Sequence, residues 1–166
     1  MLVEYKWSKD RYLEANKANY DLKMKSMKLK LLGYFGIILV VLGAYLFYTK
    51  GIYTILVISS LLVIYWYLLR WPLYRLQLSS NFNKHASKDK NVSWLIEPGS
   101  FSIMSENGSG TYKWSAITDI SESKAGFLVR QYPVFYWLPV DCFESDADID
   151  WFRNVIMRKA MPGKTP

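Results

Sequence analysis

Histidine and cysteine are nearly absent from this chain, whose 166 residues include only His85 and Cys142 of these two types. A lone cysteine excludes an intramolecular disulfide, and a structural zinc site needs about four ligands of this kind. His85 lies in a polar stretch that would not shield a catalytic base from water. The sequence therefore predicts a protein without catalytic activity, without a metal site and without a cofactor.

Charge is absent from two stretches of 18 residues, 31–48 and 52–69. As helices they would each be about 27 Å long, close to the thickness of the hydrocarbon core of a bilayer. A soluble helix is rarely apolar on every face over such a length. Only Thr49, Lys50 and Gly51 separate the stretches. We therefore predict an antiparallel transmembrane hairpin whose two ends leave the membrane on the same side.

Positive charge is concentrated near this hairpin. Residues 1–75 contain 11 Lys and Arg against 4 Asp and Glu, whereas residues 76–166 contain 10 of each kind. Since Lys and Arg are retained on the cytoplasmic side during insertion, both termini are predicted to be cytoplasmic. The neutral balance of the C-terminal half argues against a nucleic-acid-binding face. The lipid bilayer is therefore the first partner that the sequence predicts.

Residues 1–30 are expected to form a cytoplasmic N-terminal segment. Alternation in Leu2–Trp7 predicts a strand, and Ser8 fits the N-cap of a helix that runs to Lys30. We interpret this helix as an amphipathic stalk at the level of the headgroups, with a membrane-binding or partner-binding helix as the alternative. After the hairpin, residues 70–91 are expected to form a polar linker.

Short apolar segments alternate with turns in the C-terminal part, which predicts about five antiparallel strands. The predicted strands are 92–96, 101–104, 112–120, 127–131 and 134–140. A hairpin turn is predicted at Asn107–Gly110, and Ser145 fits the N-cap of a helix over 146–160. The predicted fold class is an α+β membrane protein: a transmembrane hairpin, then a small antiparallel sheet domain over 92–160 closed by a C-terminal helix. Residues 161–166 are expected to be a tail.

Several landmarks occur in a characteristic order along the C-terminal part. They are Trp114, Ile117 and Ile120, the strand Phe127–Arg130, the segment Tyr136–Pro139 with Phe143, and the final helix. Together with the basic, Tyr-rich N-terminal segment and the hairpin, this order resembles the YcxB-like family of bacterial membrane proteins. The resemblance implies a C-terminal domain related to bacterial pleckstrin-homology-like (PH-like) domains and a place in the bacterial inner membrane. One departure is Val140-Asp141, where the family usually has a basic residue after the proline.

Small membrane proteins with PH-like domains resemble several bacterial immunity proteins. The first functional hypothesis is therefore a non-enzymatic immunity protein that binds and blocks a toxin acting at the membrane. The alternative is a regulatory or scaffold protein of the bacterial envelope that senses lipid headgroups or a peptide. Gene neighbourhood would separate the two, since a neighbouring toxin gene favours immunity.

Binding energy at protein interfaces is concentrated in a few aromatic and Arg anchors, and the turn at Pro133 is rich in such residues. The predicted partner-binding residues are Arg130, Tyr132, Phe135 and Tyr136. The alternative interpretation is that these rings line the core or rest on the membrane interface. The expected partners are thus the bilayer and a protein, either a toxin or a membrane protein. Association into a homo-oligomer is left open.

The first prediction concerns topology. Reporters that are active only in the periplasm should be silent when fused after Lys30 or after Pro166, because the charge asymmetry keeps both positions in the cytoplasm. Periplasmic activity of the C-terminal fusion would contradict this orientation. A fusion within Thr49–Gly51 should be active and provides the matched control.

Overall fold

Helices and antiparallel sheets together make up the chain, which confirms the predicted α+β class. The computed structural model describes residues 1–84 and 87–157. His85, the end of the predicted final helix and the predicted tail lie outside the described residues. The chain divides into two compact units. One unit combines Met1–Asn19 with the chain from Phe82 onward, and the other spans Tyr20–Asn81.

Four helices precede most of the strands. They are α1 (Lys9–Met24), α2 (Met27–Lys50), α3 (Thr54–Ile64) and α4 (Arg70–Phe82), with a π-helical turn at Tyr65–Leu69 between the last two. Two helical stretches, Met27–Lys50 and Thr54–Phe82, are long and apolar enough to cross a bilayer by length and composition. Both are longer than the uncharged stretches 31–48 and 52–69, because the helical backbone continues into polar flanking residues. The predicted linker over 70–91 is thus helical as far as Phe82.

The sequence predicted one helix from Ser8 to Lys30, but the helix that starts after Ser8 ends at Met24. The backbone N–H of Arg11 donates to the Ser8 hydroxyl at 3.3 Å, so Ser8 does cap the start of α1. At the other end, Ser26 has an extended backbone with φ −59° and ψ 133°. Its carbonyl accepts from Leu29 and Lys30 as α2 begins. A chain that leaves the helical region to start a new helix cannot propagate the old one.

Small residues allow α2 and α3 to approach closely. A Cβ atom on Gly43 would lie 2.7 Å from the backbone of Leu56, so only glycine fits there. A Cβ atom on Gly36 would lie 3.3 Å from the side chain of Val63 on the same partner helix. Ser59 is buried, and its hydroxyl donates to the carbonyl of Ile55 within its own helix at 2.6 Å. α2 ends at Gly51, whose φ of 69° suits a residue without a side chain.

Seven strands form two antiparallel sheets. The strands are β1 (Leu2–Lys6), β2 (Asn91–Ile96), β3 (Ser100–Ser105), β4 (Gly108–Lys113), β5 (Asp119–Glu122), β6 (Gly126–Gln131) and β7 (Val134–Pro139). The first sheet has the order β1-β2-β3-β4, and the second has the order β5-β6-β7. Each consecutive pair of strands within a sheet is antiparallel.

The N-terminal strand belongs to the sheet of the C-terminal part. Val3 pairs with Trp94 and Tyr5 pairs with Val92 in the antiparallel ladder of β1 and β2. Val3 and Tyr5 are buried, while Leu2, Glu4 and Lys6 are exposed, as the alternating pattern of this segment requires. The sequence-based division into a segment 1–30 and a domain over 92–160 therefore differs from the compact unit that the structure contains.

The predicted strand over 112–120 is two strands in different sheets. A 3₁₀ turn at Trp114–Ala116 separates β4 from β5. The indole N–H of Trp114 donates to the carbonyl of Glu97 at 2.8 Å, which anchors the turn to the loop between β2 and β3. The predicted turn at Asn107–Gly110 is shifted as well, because Ser105 already pairs with Gly108. Gly108 takes the positive φ, 144°, that this tight turn requires.

Aromatic rings from both sheets and from the C-terminal helix fill one core. Phe101 stacks on Trp94 with 5.2 Å between centroids, and Phe127 contacts Phe152 at 4.8 Å. Phe152 lies in a π-helical turn, Phe152–Met157, that follows helix α5 (Asp146–Trp151). The hydroxyl of Ser145 accepts from the backbone N–H of Asp148, which confirms the predicted N-cap. Since Phe152 and Ile156 are fully buried, this helical segment completes the core between the sheets.

The second prediction concerns Trp114, which is 3% exposed and packs edge-on against Phe152 at 5.9 Å. Trp114→Ala should lower the free energy of unfolding by about 3–5 kcal/mol, because it removes a buried ring and leaves a cavity. Thermal unfolding of the purified full chain measures the loss. Tyr132→Ala, which truncates a ring that is 89% exposed, is the control and should change stability by no more than about 0.5 kcal/mol. Equal melting of the two variants would contradict a role of Trp114 in the core.

Candidate functional site

The hairpin that joins β6 to β7 carries the exposed aromatic tip predicted from the sequence. Gln131 pairs with Val134, so Tyr132 and Pro133 alone form the turn, with a cis peptide bond between them. The Tyr132 side chain is almost completely exposed, and Val134 is about half exposed. Large apolar side chains at a hairpin tip add nothing to the core, so this tip is available for contact with another molecule.

Strand β7 lies at the edge of its sheet, and the hydrogen bonds of the hairpin determine which of its backbone groups are free. The N–H of Val140 donates to the carbonyl of Ala125 at 3.0 Å. Hydrogen-bonded pairs alternate along an antiparallel ladder, so the pairs 127–138, 129–136 and 131–134 are also bonded. Phe135 and Trp137 occupy the positions between them. Their backbone N–H and C=O groups therefore point away from β6.

One of these four outward groups has a partner. The hydroxyl of Tyr5 donates to the carbonyl of Trp137 at 2.5 Å. Among the described residues, no hydrogen bond reaches the N–H of Phe135, the C=O of Phe135 or the N–H of Trp137. Two donors and one acceptor thus remain on the outer edge of β7, at the spacing that a further strand would use.

An aromatic cleft of about 290 Å³ lies directly beside this edge; we call it the β7 cleft. It is lined by Tyr5, Trp7, Ser87, Val92, Trp94, Ile103 and Val134–Trp137. Its floor is the inner face of the first sheet, and its wall is the outer edge of the second. Within the lining, the Trp94 ring meets Tyr136 edge-on at 6.2 Å. The cleft therefore combines apolar surface with unsatisfied backbone groups.

The four predicted partner-binding residues fall into different places. Phe135 and Tyr136 line the β7 cleft, and Tyr132 stands at the tip next to it. Arg130 does not line the cleft. Its guanidinium forms an ion pair with Asp119 at 2.9 Å and donates to the amide oxygen of Asn19 at 3.4 Å. The structure thus brings three of the predicted residues together and gives Arg130 a structural role.

The first part of α1 covers the outer face of the second sheet. Phe127 and Val129 of β6 face the core, yet Leu128 between them is also fully buried and must be covered from the other side. Asn19 contacts Arg130 at one end of this face, and Arg11 forms a bidentate ion pair with Asp141 at the other, at 2.5 and 2.8 Å. Residues of α1 up to Asn19 therefore belong to the sheet unit.

The acidic residue Asp141, two positions after Pro139, forms an ion pair with Arg11. The Arg11 guanidinium lowers the pKa of the Asp141 carboxyl by hydrogen bonding and charge attraction. Asp141 therefore stays ionised and holds the start of α1 next to the end of β7. A basic residue at this position would repel Arg11. The departure from the family pattern at Val140-Asp141 thus goes together with a specific contact within this chain.

Two tyrosines in the cleft are held in the neutral form. The Tyr5 hydroxyl is buried between the carbonyl of Trp137 and the indole N–H of Trp94, which donates to it at 3.3 Å. Burial raises the pKa of Tyr5 well above its usual value. Burial also raises the pKa of Tyr136 to about 12, and the adjacent hydroxyl of Tyr112 adds to this shift. Both side chains therefore contribute no charge to the cleft.

Residues of the cleft from the N-terminal segment were not predicted as site residues. The alternation in Leu2–Trp7 predicted a strand, but nothing local indicated that this strand lies beside β7. Cys142 packs at the edge of the core, and no group of three His, Cys, Asp or Glu residues in the described part of the chain is placed to hold a metal ion.

Residues 96–156 match the family model described as YcxB-like protein, which confirms the resemblance found in the sequence. The match runs from the end of β2 to the C-terminal helix. It includes the hairpin formed by β6 and β7 but not β1 or the two long apolar helices. No curated protein and no solved structure matches the chain.

The third prediction concerns alkaline pH. Because the pKa of Tyr5 and that of Tyr136 are raised in the folded protein, their contribution to stability is complete below about pH 10, the pKa of an unfolded Tyr. It should be lost as the pH rises from there towards the folded pKa. Denaturant midpoints measured on either side of pH 10 should show this loss, and Tyr136→Phe should reduce it. Tyr132→Phe, at the exposed tip, is the matched control. An unchanged pH dependence in Tyr136→Phe would contradict the prediction.

Proposed function

We propose that this chain, which carries a YcxB-like domain, is a non-enzymatic protein of the bacterial inner membrane. In this proposal its PH-like domain binds an extended segment of a partner protein in the β7 cleft. The observation that carries the proposal is the outer edge of β7, where three backbone groups beside an aromatic cleft have no hydrogen-bond partner among the described residues. The membrane location, the PH-like assignment and the kind of partner are supported by separate features of the chain.

The surface of the long helices supports the membrane location. Large apolar side chains are exposed along both, among them Leu31, Ile38, Val41, Leu61 and Leu68. Soluble proteins rarely expose contiguous apolar patches of this extent, whereas lipid tails accept them at no cost. The lysines that precede α2 and Arg70 after α3 favour a hairpin with both of its ends in the cytoplasm.

The arrangement of the strands supports the PH-like assignment. Sheets of four and three antiparallel strands enclose one core, and a helical segment at the C-terminal end contributes Phe152 and Ile156 to it. This is the kind of sheet domain, closed by a C-terminal helix, that the family resemblance implies. The N-terminal strand β1 supplies one edge of the first sheet, so the domain uses both ends of the chain.

Strand addition is the binding mode that fits the β7 cleft. An extended peptide placed along β7 would accept hydrogen bonds from the N–H groups of Phe135 and Trp137 and donate one to the C=O of Phe135. Alternate side chains of that peptide would point into the cleft, where aromatic rings supply apolar contact. Main-chain hydrogen bonds would give the affinity, and the shape of the cleft would select the side chains.

The identity of the partner decides between two roles. If the partner is a toxin that acts at the membrane, the protein is an immunity protein that blocks it. If the partner is another protein of the envelope, the role is regulatory or scaffolding. Both roles use the same edge of β7 and neither needs catalysis, so an experiment on the cleft tests what they share.

The fourth prediction uses a photo-reactive amino acid in the native host. Placed at position 135, it should cross-link a partner protein that mass spectrometry then identifies, because this position lines the cleft. The same amino acid at Lys113, which is exposed on β4 at the far edge of the first sheet, is the control and should not capture that protein. A toxin among the products assigns the immunity role, and an envelope protein assigns the regulatory one. No adduct specific to position 135 would contradict the proposal.

A pair of substitutions separates the backbone contact from the ring. Phe135→Ala and Phe135→Pro both remove the ring, but only proline also removes the outward N–H. Proline is tolerated on an edge strand where its N–H would face away from the sheet. We expect both variants to fold, with capture of the partner by a photo-reactive group at position 132 reduced several-fold more in Phe135→Pro. Equal capture in the two variants would contradict strand addition.

A further inference from the structure

Arg70 is a cation at the end of the second apolar stretch whose charge is not balanced by a carboxylate. Its guanidinium lies over the ring of Trp66 at 4.3 Å and near the ring of Tyr20 at 5.6 Å. It also contacts the sulfur of Met24 at 3.2 Å. Within the described residues, no Asp or Glu is close enough to form an ion pair with it. Aromatic faces fix the position of the guanidinium and leave N–H donors for an outside anion.

An apolar groove of about 350 Å³ begins next to this cation, between α2 and α3. Its walls include Leu32, Phe35 and Leu39 on one helix and Leu62, Val63 and Trp66 on the other. Gly33 and Gly36 also line it, and a Cβ atom on Gly33 would lie only 3.0 Å from the indole nitrogen of Trp66. The surface of the groove contains almost no polar atoms. Trp66 belongs to both features, because Arg70 stacks on its ring and Trp66 also lines the groove.

The cation and the groove are arranged like the headgroup and the acyl chain of a phospholipid. Trp66 precedes Arg70 by four residues, and the groove continues from Trp66 back to Leu62, so it runs from the guanidinium towards the middle of the second apolar stretch. A phosphate at Arg70 would place an acyl chain at the entrance of the groove. Arg binds phosphate oxygens through two parallel N–H bonds, which a point charge does not do.

We propose that this unit holds one anionic phospholipid, with its phosphate on Arg70 and one acyl chain in the groove between α2 and α3. The inference rests on the proposed membrane location, since it takes the hairpin to be embedded in lipid. It goes beyond that proposal by naming a specific site and a preferred headgroup charge. A second copy of the hairpin packed into the groove is the competing occupant, and the experiment distinguishes it from the lipid.

The experiment uses the full chain in nanodiscs that contain equal amounts of phosphatidylglycerol and phosphatidylcholine with identical acyl chains. Native mass spectrometry after release from the nanodisc counts the lipids that stay bound. One phosphatidylglycerol should remain per chain, with a preference over phosphatidylcholine of about fivefold, the ratio that one Arg near an anionic headgroup provides. Arg70→Gln should reduce this preference to about onefold. Arg75→Gln, which removes an exposed charge one turn further along α4, should leave it unchanged.

A second pair of variants tests the groove. Leu39→Trp fills it and should abolish the retained lipid, whereas Leu42→Trp adds the same ring at an exposed position of α2 outside the groove and should not. Arg70→Lys keeps the charge and should retain the preference in part. This outcome separates headgroup binding from a structural role of the stacked guanidinium.

Three results would overturn the inference. They are equal retention of the two lipids by the unaltered chain, unchanged preference in Arg70→Gln, or a lipid-free dimer that Leu39→Trp converts to a monomer. The proposed membrane location is tested separately by alkaline extraction of membranes. Release of the chain into the soluble fraction would contradict that location, whereas a chain that resists extraction but shows no lipid preference contradicts only this inference.

Discussion

The hydroxyl of Tyr5 is the buried polar contact that joins the two sheets of the sheet unit beside their shared aromatic core. It accepts from the Trp94 indole in the first sheet and donates to the carbonyl of Trp137 in the second. A buried hydroxyl without partners would cost about 1–3 kcal/mol, so both bonds must form together with the burial of the ring. These two hydrogen bonds hold the edge of β7 next to the first sheet, and the β7 cleft lies beside them.

The same contact requires the chain to come back, after the helices, to its N-terminal strand β1. β1 precedes the helical segment and β2 follows it, so the ladder between them closes a connection of more than eighty residues. The entropic cost of such a closure rises only slowly with length, and the hydrogen-bonded ladder with two buried side chains, Val3 and Tyr5, compensates it. The long helices are thus an insertion within the sheet unit, entered after β1 and α1 and left through α4. An insertion of this kind leaves the sheet intact whatever surrounds the helices.

Local patterns in the sequence determined much of this fold. The uncharged runs, the N-caps at Ser8 and Ser145 and the inward residues of the strands could each be read from a few neighbouring residues. What could not be predicted depends on distant pairings. The division of 112–120 into two strands follows from the bond between Trp114 and Glu97, and the membership of β1 follows from its ladder with β2. For the site, aromatic composition indicated Tyr132, Phe135 and Tyr136, but the ion pair of Arg130 with Asp119 has no local signature.

The surroundings of the one thiol keep it protonated. Burial and the neighbouring Asp141 raise the pKa of Cys142, and the attraction of Arg11 does not compensate for them. A thiol that stays protonated is a poor nucleophile. The tyrosines of the cleft are likewise kept neutral by burial, so neither is a ready proton acceptor. The cleft combines aromatic faces with backbone groups that have no partner among the described residues, and these are the groups that the proposed binding of an extended chain would use.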